Sequence, residues 1–427
     1  MGVAAVTVVV ATVFFWCVFS SRAARMGLSV PMVFVTAGFV YAEMIGVLDL
    51  AVEPELVKLI AEVTLVWLLF ADASRVSLGQ LRGDLGMYVR LLGVGLPLTV
   101  AAGTVVAIVV LGLDPWAALL LGAALSPTDA ALGASVMSNP RVPARIRRVL
   151  NVESGLNDGI ATPIVLVAIA GVAADNGIEG VEGPGRAVVA LVVGVLVGVV
   201  AGGAGGALTR HARRRGWLSE ELAGPAVLAL ALLAYAGAVF IDGNGFVAAF
   251  VGGLVFGATA GRGGEKEVYF VEQSGELASM VSWLIFGALA VPAIGEWFGW
   301  PVVGYALLSL TVVRMLPVTL SLLGAGFDRL SVAFIGWFGP RGLASVIFAL
   351  LALEDLHDAA GEVVATIALT VLLSVVAHGF TAQPLAGRFT RQAEPPARNS
   401  GRASTAGSRS DRNADPDRRH PGDGPDE

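Results

Sequence analysis

The densest group of chemically capable side chains in the 427-residue sequence is the run Glu153-Ser154-Gly155-Leu156-Asn157-Asp158-Gly159. At helical spacing Ser154 and Asp158 share one stripe, and Glu153 and Asn157 share the neighbouring one. Asp158 with Ser154 offers the oxygen ligands that a hard monovalent cation takes, and a carboxylate in an apolar setting can hold a proton instead. Asn157, beside it, cannot titrate. Glu153 can pair with a buried arginine, for which Arg314 and Arg341 are the candidates inside apolar stretches. A solvated helix entrance beside a basic loop would also fit Glu153, and it fits Asp158 less well, since that residue lies a turn or more inside the apolar run.

Two other places combine turn chemistry with a charge inside apolar sequence: Ser126-Pro127-Thr128-Asp129 and Gly339-Pro340-Arg341-Gly342. Proline removes a main-chain donor and breaks the helical ladder, leaving half-helix ends that carry partial charge. A simple proline kink is the plainer reading. Against it stand Asp129 and Arg341, since an ionised group costs about 2.5 to 3.5 kcal/mol at the centre of a bilayer. Asp129 and Asp158 could in principle form an aspartyl protease dyad, but the Gly-x-Gly-Asp signature is missing and the helices are too many. No His-Glu-x-x-His motif occurs, and His378 reads as a helix-packing residue with a possible part in pH response. With Cys17 as the one cysteine, no disulfide framework or thiolate cluster can form. No cofactor is implied.

The elements that position these groups are membrane helices. The chain is 56% apolar and 15% charged, with a mean hydropathy of +0.76, well outside the range of soluble domains. Nucleic acid is excluded as a partner by the lack of a basic, aromatic-interleaved face. Apolar runs long enough for a hydrocarbon core of roughly 30 Å fall at 3–20, 27–47, 56–74, 86–112, 115–138, 150–174, 186–209, 221–241, 244–261, 273–295, 299–323, 329–353 and 361–388. The expected fold is therefore an all-α polytopic membrane protein of thirteen helices spanning 1–390, followed by a polar, disordered cytoplasmic tail over 391–427. The first run reads as a retained helix and not as a signal peptide. Alternate gaps are basic (Arg22 and Arg25; Arg75, Arg82 and Arg90; Arg141 to Arg148; Arg210 to Arg215; Arg262 and Lys266; Arg329; Arg388 and Arg391). Basic gaps stay cytoplasmic, so the N-terminus is expected outside and the C-terminus inside, with Lys58 and Arg186 as mild exceptions. Trp67-Leu68-Leu69-Phe70-Ala71 recurs as Trp283-Leu284-Ile285-Phe286-Gly287, preceded by Glu62 and Glu276 respectively. This offset of roughly 215 residues relates the two interrupted helices across an odd number of spans, which is the inverted-repeat plan of secondary transporters.

Together, Thr128-Asp129, the run from Glu153 to Gly159 and Gly339-Pro340-Arg341-Gly342 resemble the electroneutral sodium/proton antiporters, prokaryotic proteins related to the animal sodium/proton exchangers. The resemblance covers about residues 1 to 390. It implies that Asp158 is the shared cation and proton site, that Thr128, Asp129 and Ser154 help to hold the ion, with Asp158, Ser154 and Thr128 as the sodium ligands, and that Asn157 stands where electrogenic relatives carry a second aspartate. The chain departs from the family pattern in having Ala130 after the Thr-Asp pair and Pro127 before it. Some members also use an acid on the third helix, which here is Asp72 or Glu62. These face roughly 80° apart and cannot both reach one site; Asp72 is preferred, although it could also be a surface residue beside Arg75. The resemblance further implies one-for-one exchange of sodium, or of lithium, for protons in the cell membrane, and hence a part in pH homeostasis. It also implies a homodimer and a moving core of helices five, six, twelve and thirteen. Arg314 and Arg341 are expected to neutralise Glu153 and the broken helix ends. Potassium is the alternative cation.

Overall fold

In hydrocarbon each main-chain polar group must be satisfied within its own segment, so long apolar runs fold as helices. The computed structural model describes residues 2–26, 28–48, 54–76, 85–129, 132, 134–137, 139–178, 183–261 and 264–393; the tail beyond them lies outside the described residues. Among the described residues there are helices and no strands. In chain order they are α1 (Val3–Arg25), α2 (Val30–Met44), α3 (Pro54–Arg75), α4 (Leu85–Leu111), α5 (Pro115–Ala124, resuming at Ala134–Met137), α6 (Ala144–Asp175), α7 (Pro184–Arg214), α8 (Glu220–Val239), α9 (Gly245–Thr259), α10 (Gly264–Trp297), α11 (Trp300–Ser321), α12 (Arg329–Trp337 and Leu343–Leu356) and α13 (Gly361–Ala393). Their number and order match the apolar runs of the sequence.

Helix ends differ from those expected. α6 begins at Ala144, α7 continues to Arg214 and α10 begins at Gly264, so Arg145, Arg147, Arg148, Arg210, Arg213, Arg214 and Lys266 lie on helical extensions and not in loops. Hydropathy marks where a chain leaves hydrocarbon, whereas the hydrogen-bond ladder continues into water. One extension is fastened: Arg213 of α7 grips the buried Glu267 of α10 at 2.5 and 2.7 Å. α3 carries Glu55, Lys58, Glu62, Asp72 and Arg75, yet much of it is buried. Neighbouring helices, more than lipid, surround it.

The helices pack as two groups. In the first, α9 lies against α7 and α3, α10 against α2 and α3, and α8 against α7, α9 and α10. Small residues allow this closeness, as is usual between membrane helices. Gly194, Gly198, Gly202 and Gly206 form a row along α7, where an added Cβ would strike atoms of Asn244, Ala248, Gly252 or Thr259. The second group joins α5 to α4 and α6, α12 to α6 and α13, and α11 to α4 and α13. Phe334, Phe338 and Phe389 close one end of it, with ring centroids 4.4 and 4.9 Å apart. α3 and α10 of the first group meet α12 of the second. Thr64 of α3 and Ser282 of α10, on the two helices that the repeat relates, share a hydroxyl contact of 3.1 Å.

Candidate ion-binding site

α5 stops at Ala124 and the first half of α12 stops at Trp337, each ahead of its proline motif. The two breaks cross, and each satisfies the main-chain groups that the other leaves open. The Asp129 N–H donates to the Pro340 carbonyl at 2.8 Å. The Asp129 carboxylate accepts from the N–H of Leu132 at 3.2 Å and from that of Leu343 at 2.9 Å, so it caps the second half of α12, where negative charge suits the helix N-terminus. Arg341, with no exposed surface, donates through Nη1 to the carbonyls of Ser126 and Pro127 at 3.0 and 3.2 Å. Its main-chain N–H meets Ser374 Oγ at 2.7 Å, and Ser345 Oγ donates to the Ala124 carbonyl at 2.6 Å. A Cβ at Gly342 would collide with the Asp129 carboxylate, so the crossing leaves no room for a side chain there. Ala130 lies outside the described residues; Pro127 sits at the break itself.

α6 runs past this crossing. Ser154 Oγ lies 3.1 Å from Thr128 Oγ1, and Asn157 Nδ2 donates to that same Thr128 oxygen at 2.7 Å. Asn157 is buried behind the two hydroxyls and does not line the cavity described below. Its amide therefore reaches the cavity wall through Thr128. Asp158 faces the cavity, and its shielded Oδ1 has no hydrogen-bond partner among the described residues. A buried acceptor left open is costly, and a bound cation or proton would satisfy it.

The cavity measures about 690 Å³ and brings Thr128, Asp129, Ser154, Asp158 and Asp72 together. Asp72 meets α6 at Gly155, and it interacts electrostatically with Asp158, as does Asp129. Glu62 does not line the cavity; it interacts with Lys58 and with Tyr235 of α8. At the mouth, Arg75 forms a two-pronged ion pair with Glu272, with Glu276 and Ser279 also in the lining. Sequence reasoning did not place Glu272 or Ser279 here. The signal available was the repeat, which sets α10 opposite α3.

Glu153 points away from the cavity. Its Oε1 lies 2.7 Å from Arg314 Nη2, and both side chains are almost fully buried. Of the two candidate arginines, Arg314 is the partner and Arg341 serves the broken helix ends. His378 of α13 packs beside Trp337, with Nδ1 2.8 Å from the Ser374 carbonyl and Nε2 2.8 Å from the Trp337 carbonyl.

The arrangement has counterparts in known proteins. The family described as sodium/hydrogen exchanger, transmembrane, matches residues 8–388. A K(+)/H(+) antiporter, NhaP, of Alkalimonas amylolytica is 26% identical over 375 residues, covering 85% of this chain and 62% of its own length. A K(+)/H(+) antiporter, NhaP2, of Shewanella sp. strain MR-4 is 24% identical over 336 residues, covering 78% of this chain and 57% of the relative. The chain thus spans less than two thirds of these relatives. Among solved structures, the sodium proton antiporter MjNhaP1 of Methanocaldococcus jannaschii shares the fold, with a TM-score of 0.76 at 19% identity over 90% of this chain and 98% of that one.

Proposed function

The chain belongs to the sodium/hydrogen exchanger family, and we propose that it exchanges sodium for protons across the cell membrane, one for one, by alternating access. One observation carries this reading: Asp158 presents an unpartnered, shielded carboxylate oxygen to a cavity whose wall also holds Ser154 and Thr128. A single carboxylate that holds one proton or one sodium ion, never both, makes the two compete and leaves the charge moved per cycle unchanged. The geometry of Asp129 supports the same count, because its two oxygens already accept from the N–H groups of Leu132 and Leu343. Ser154 and Thr128 supply neutral oxygens, and Asn157 holds them in place. Asp72 adds a negative field from α3.

Residues 1–390 are the antiporter domain in this reading and 391–427 a cytoplasmic tail. The basic helix extensions support an N-terminus outside and a C-terminus in the cytoplasm. The protein acts as a homodimer through the early helices of each repeat, while α5, α6, α12 and α13 move.

Potassium/proton exchange is the second reading, favoured by the relatives NhaP and NhaP2, which are K(+)/H(+) antiporters. The test is proton flux in reconstituted vesicles on addition of sodium, lithium or potassium, with and without a voltage clamp. Flux with sodium or lithium alone supports the first reading. Flux confined to potassium replaces it with the second, and no flux with any of the three overturns both.

A further inference from the structure

The cavity ends at mid-depth. From α3 it is lined by Leu65, Leu68, Asp72, Arg75 and Val76, and from α12 by residues 342–345; the outer half of neither helix contributes. Beyond that level Val57 and Ala61 of α3 and Val346 and Leu350 of α12 are buried, and the two helices are in contact. If Asp158 is to exchange ions with the other side of the membrane, α3 and α12 must part there. The inference therefore rests on the exchange reading above.

At the outer end of this seam Lys58 Nζ of α3 lies 2.5 Å from Asp355 Oδ1 of α12. The pairs Arg75–Glu272 and Arg213–Glu267 stay within the first helix group, and Glu153–Arg314 stays within the second. Lys58–Asp355 crosses from one group to the other. We propose that Lys58 and Asp355 form a latch that holds the outer path shut while the cavity is open to the cytoplasm, and that the latch must break in every transport cycle.

Two features suit the pair to breaking. Its side chains are 37% and 24% exposed, so water can take over both charges, and a hydrated pair weights a two-state population by no more than about fivefold. Lys58 also has a second acid available, because Glu62 lies four residues along the same helix and already interacts with it electrostatically, as does Glu354. When Asp355 withdraws with α12, Lys58 can pass to Glu62.

The test uses the full chain in a Cys17→Ser background, since Cys17 is exposed and would react. Exchange is first measured in that background, and failure there counts against the exchange reading and not against the latch. Lys58→Cys with Asp355→Cys is then joined by a short bifunctional thiosulfonate, and cross-linking is verified by mass. Exchange should stop when the link forms and return on reduction, while each single-cysteine variant, treated alike, continues to exchange. A cross-linked protein that exchanges as fast as the reduced one overturns the latch. Should the double-cysteine protein fail to fold, the swap of Lys58→Asp with Asp355→Lys decides. Relative to Lys58→Asp alone, the swap should restore the ratio of sodium affinities measured from the two sides, and a swap no better than the single change refutes the proposal.

Discussion

Replacing Arg314 tests the account of Glu153 most severely. The guanidinium lies 2.7 Å from the carboxylate, and Arg314 and Glu153 are 2% and 3% exposed. At that distance and an effective dielectric of about 20, the gross attraction is roughly 6 kcal/mol. Desolvation of the two ions offsets much of it, so the pair adds little net stability, but its one-sided removal leaves a buried charge and costs about 3 to 5 kcal/mol. Arg314→Met keeps the volume, so that cost is not confounded by a void. Arg341 also acts electrostatically on Glu153, which places the expected loss near the lower figure, roughly a hundredfold in the folded-to-unfolded ratio. Arg314→Met combined with Glu153→Gln removes both charges and should regain most of the loss. Urea unfolding in mixed micelles, run on both single variants and the double, measures the coupling. If Arg314→Met costs less than about 1 kcal/mol, or if the double loses the sum of the singles, the pairing argument fails.

Asp158→Asn should abolish sodium-dependent dequenching in vesicles while folding persists, because a neutral amide is cheaper in the membrane than a charge; clear residual exchange would move the site to Asp129 or Asp72. Arg341→Ala should cost about 1 to 3 kcal/mol for each of the two carbonyls it leaves open, read as loss of thermal stability in detergent before activity is compared. Gly342→Ala sets a methyl against the Asp129 carboxylate and should cost about 1 to 3 kcal/mol with a larger fall in exchange than in folding; an active variant of unchanged stability would show the crossing to be looser than described. For electroneutrality, a net charge moved per cycle would be worth about 2.3 kcal/mol per 100 mV, so a potassium diffusion potential of either sign should leave the sodium/proton equilibrium in place, and a displacement would mean that a second proton is carried.

The thirteen spans and the two breaks were legible because each rests on local sequence. A run of apolar residues, or a proline beside a charge, signals its environment without reference to the rest of the chain. Partner choice was not local. Arg314 and Arg341 look alike in sequence, and only the crossing of α5 and α12 shows that one faces Glu153 and the other the Ser126 and Pro127 carbonyls. Asn157 lies next to Asp158 in the chain, but the turn of α6 puts it behind Thr128 and Ser154. Asp72 and Glu62 could be separated by angle but not assigned, because nothing in α3 says which face meets α6. Lys58 stood out only as a basic residue in an acidic gap. Its partner Asp355, 297 positions away, gives that irregularity a reason.

The crossing of the broken helices also has a consequence for biosynthesis. Ser126 and Pro127 reach the membrane long before Arg341, which lies 215 and 214 positions later. At about 5 to 20 residues per second the interval is roughly 10 to 40 s. Throughout it the carbonyls at the α5 break lack their guanidinium, and the Asp129 carboxylate lacks the Leu343 N–H. The nascent first repeat must spend that time with this break wet, or held by the insertion machinery, and it cannot be a finished half of the protein. A ribosome-stalled chain ending before Gly339 should therefore be cut readily by protease near residues 125–133, and one extended well past Leu356 should not.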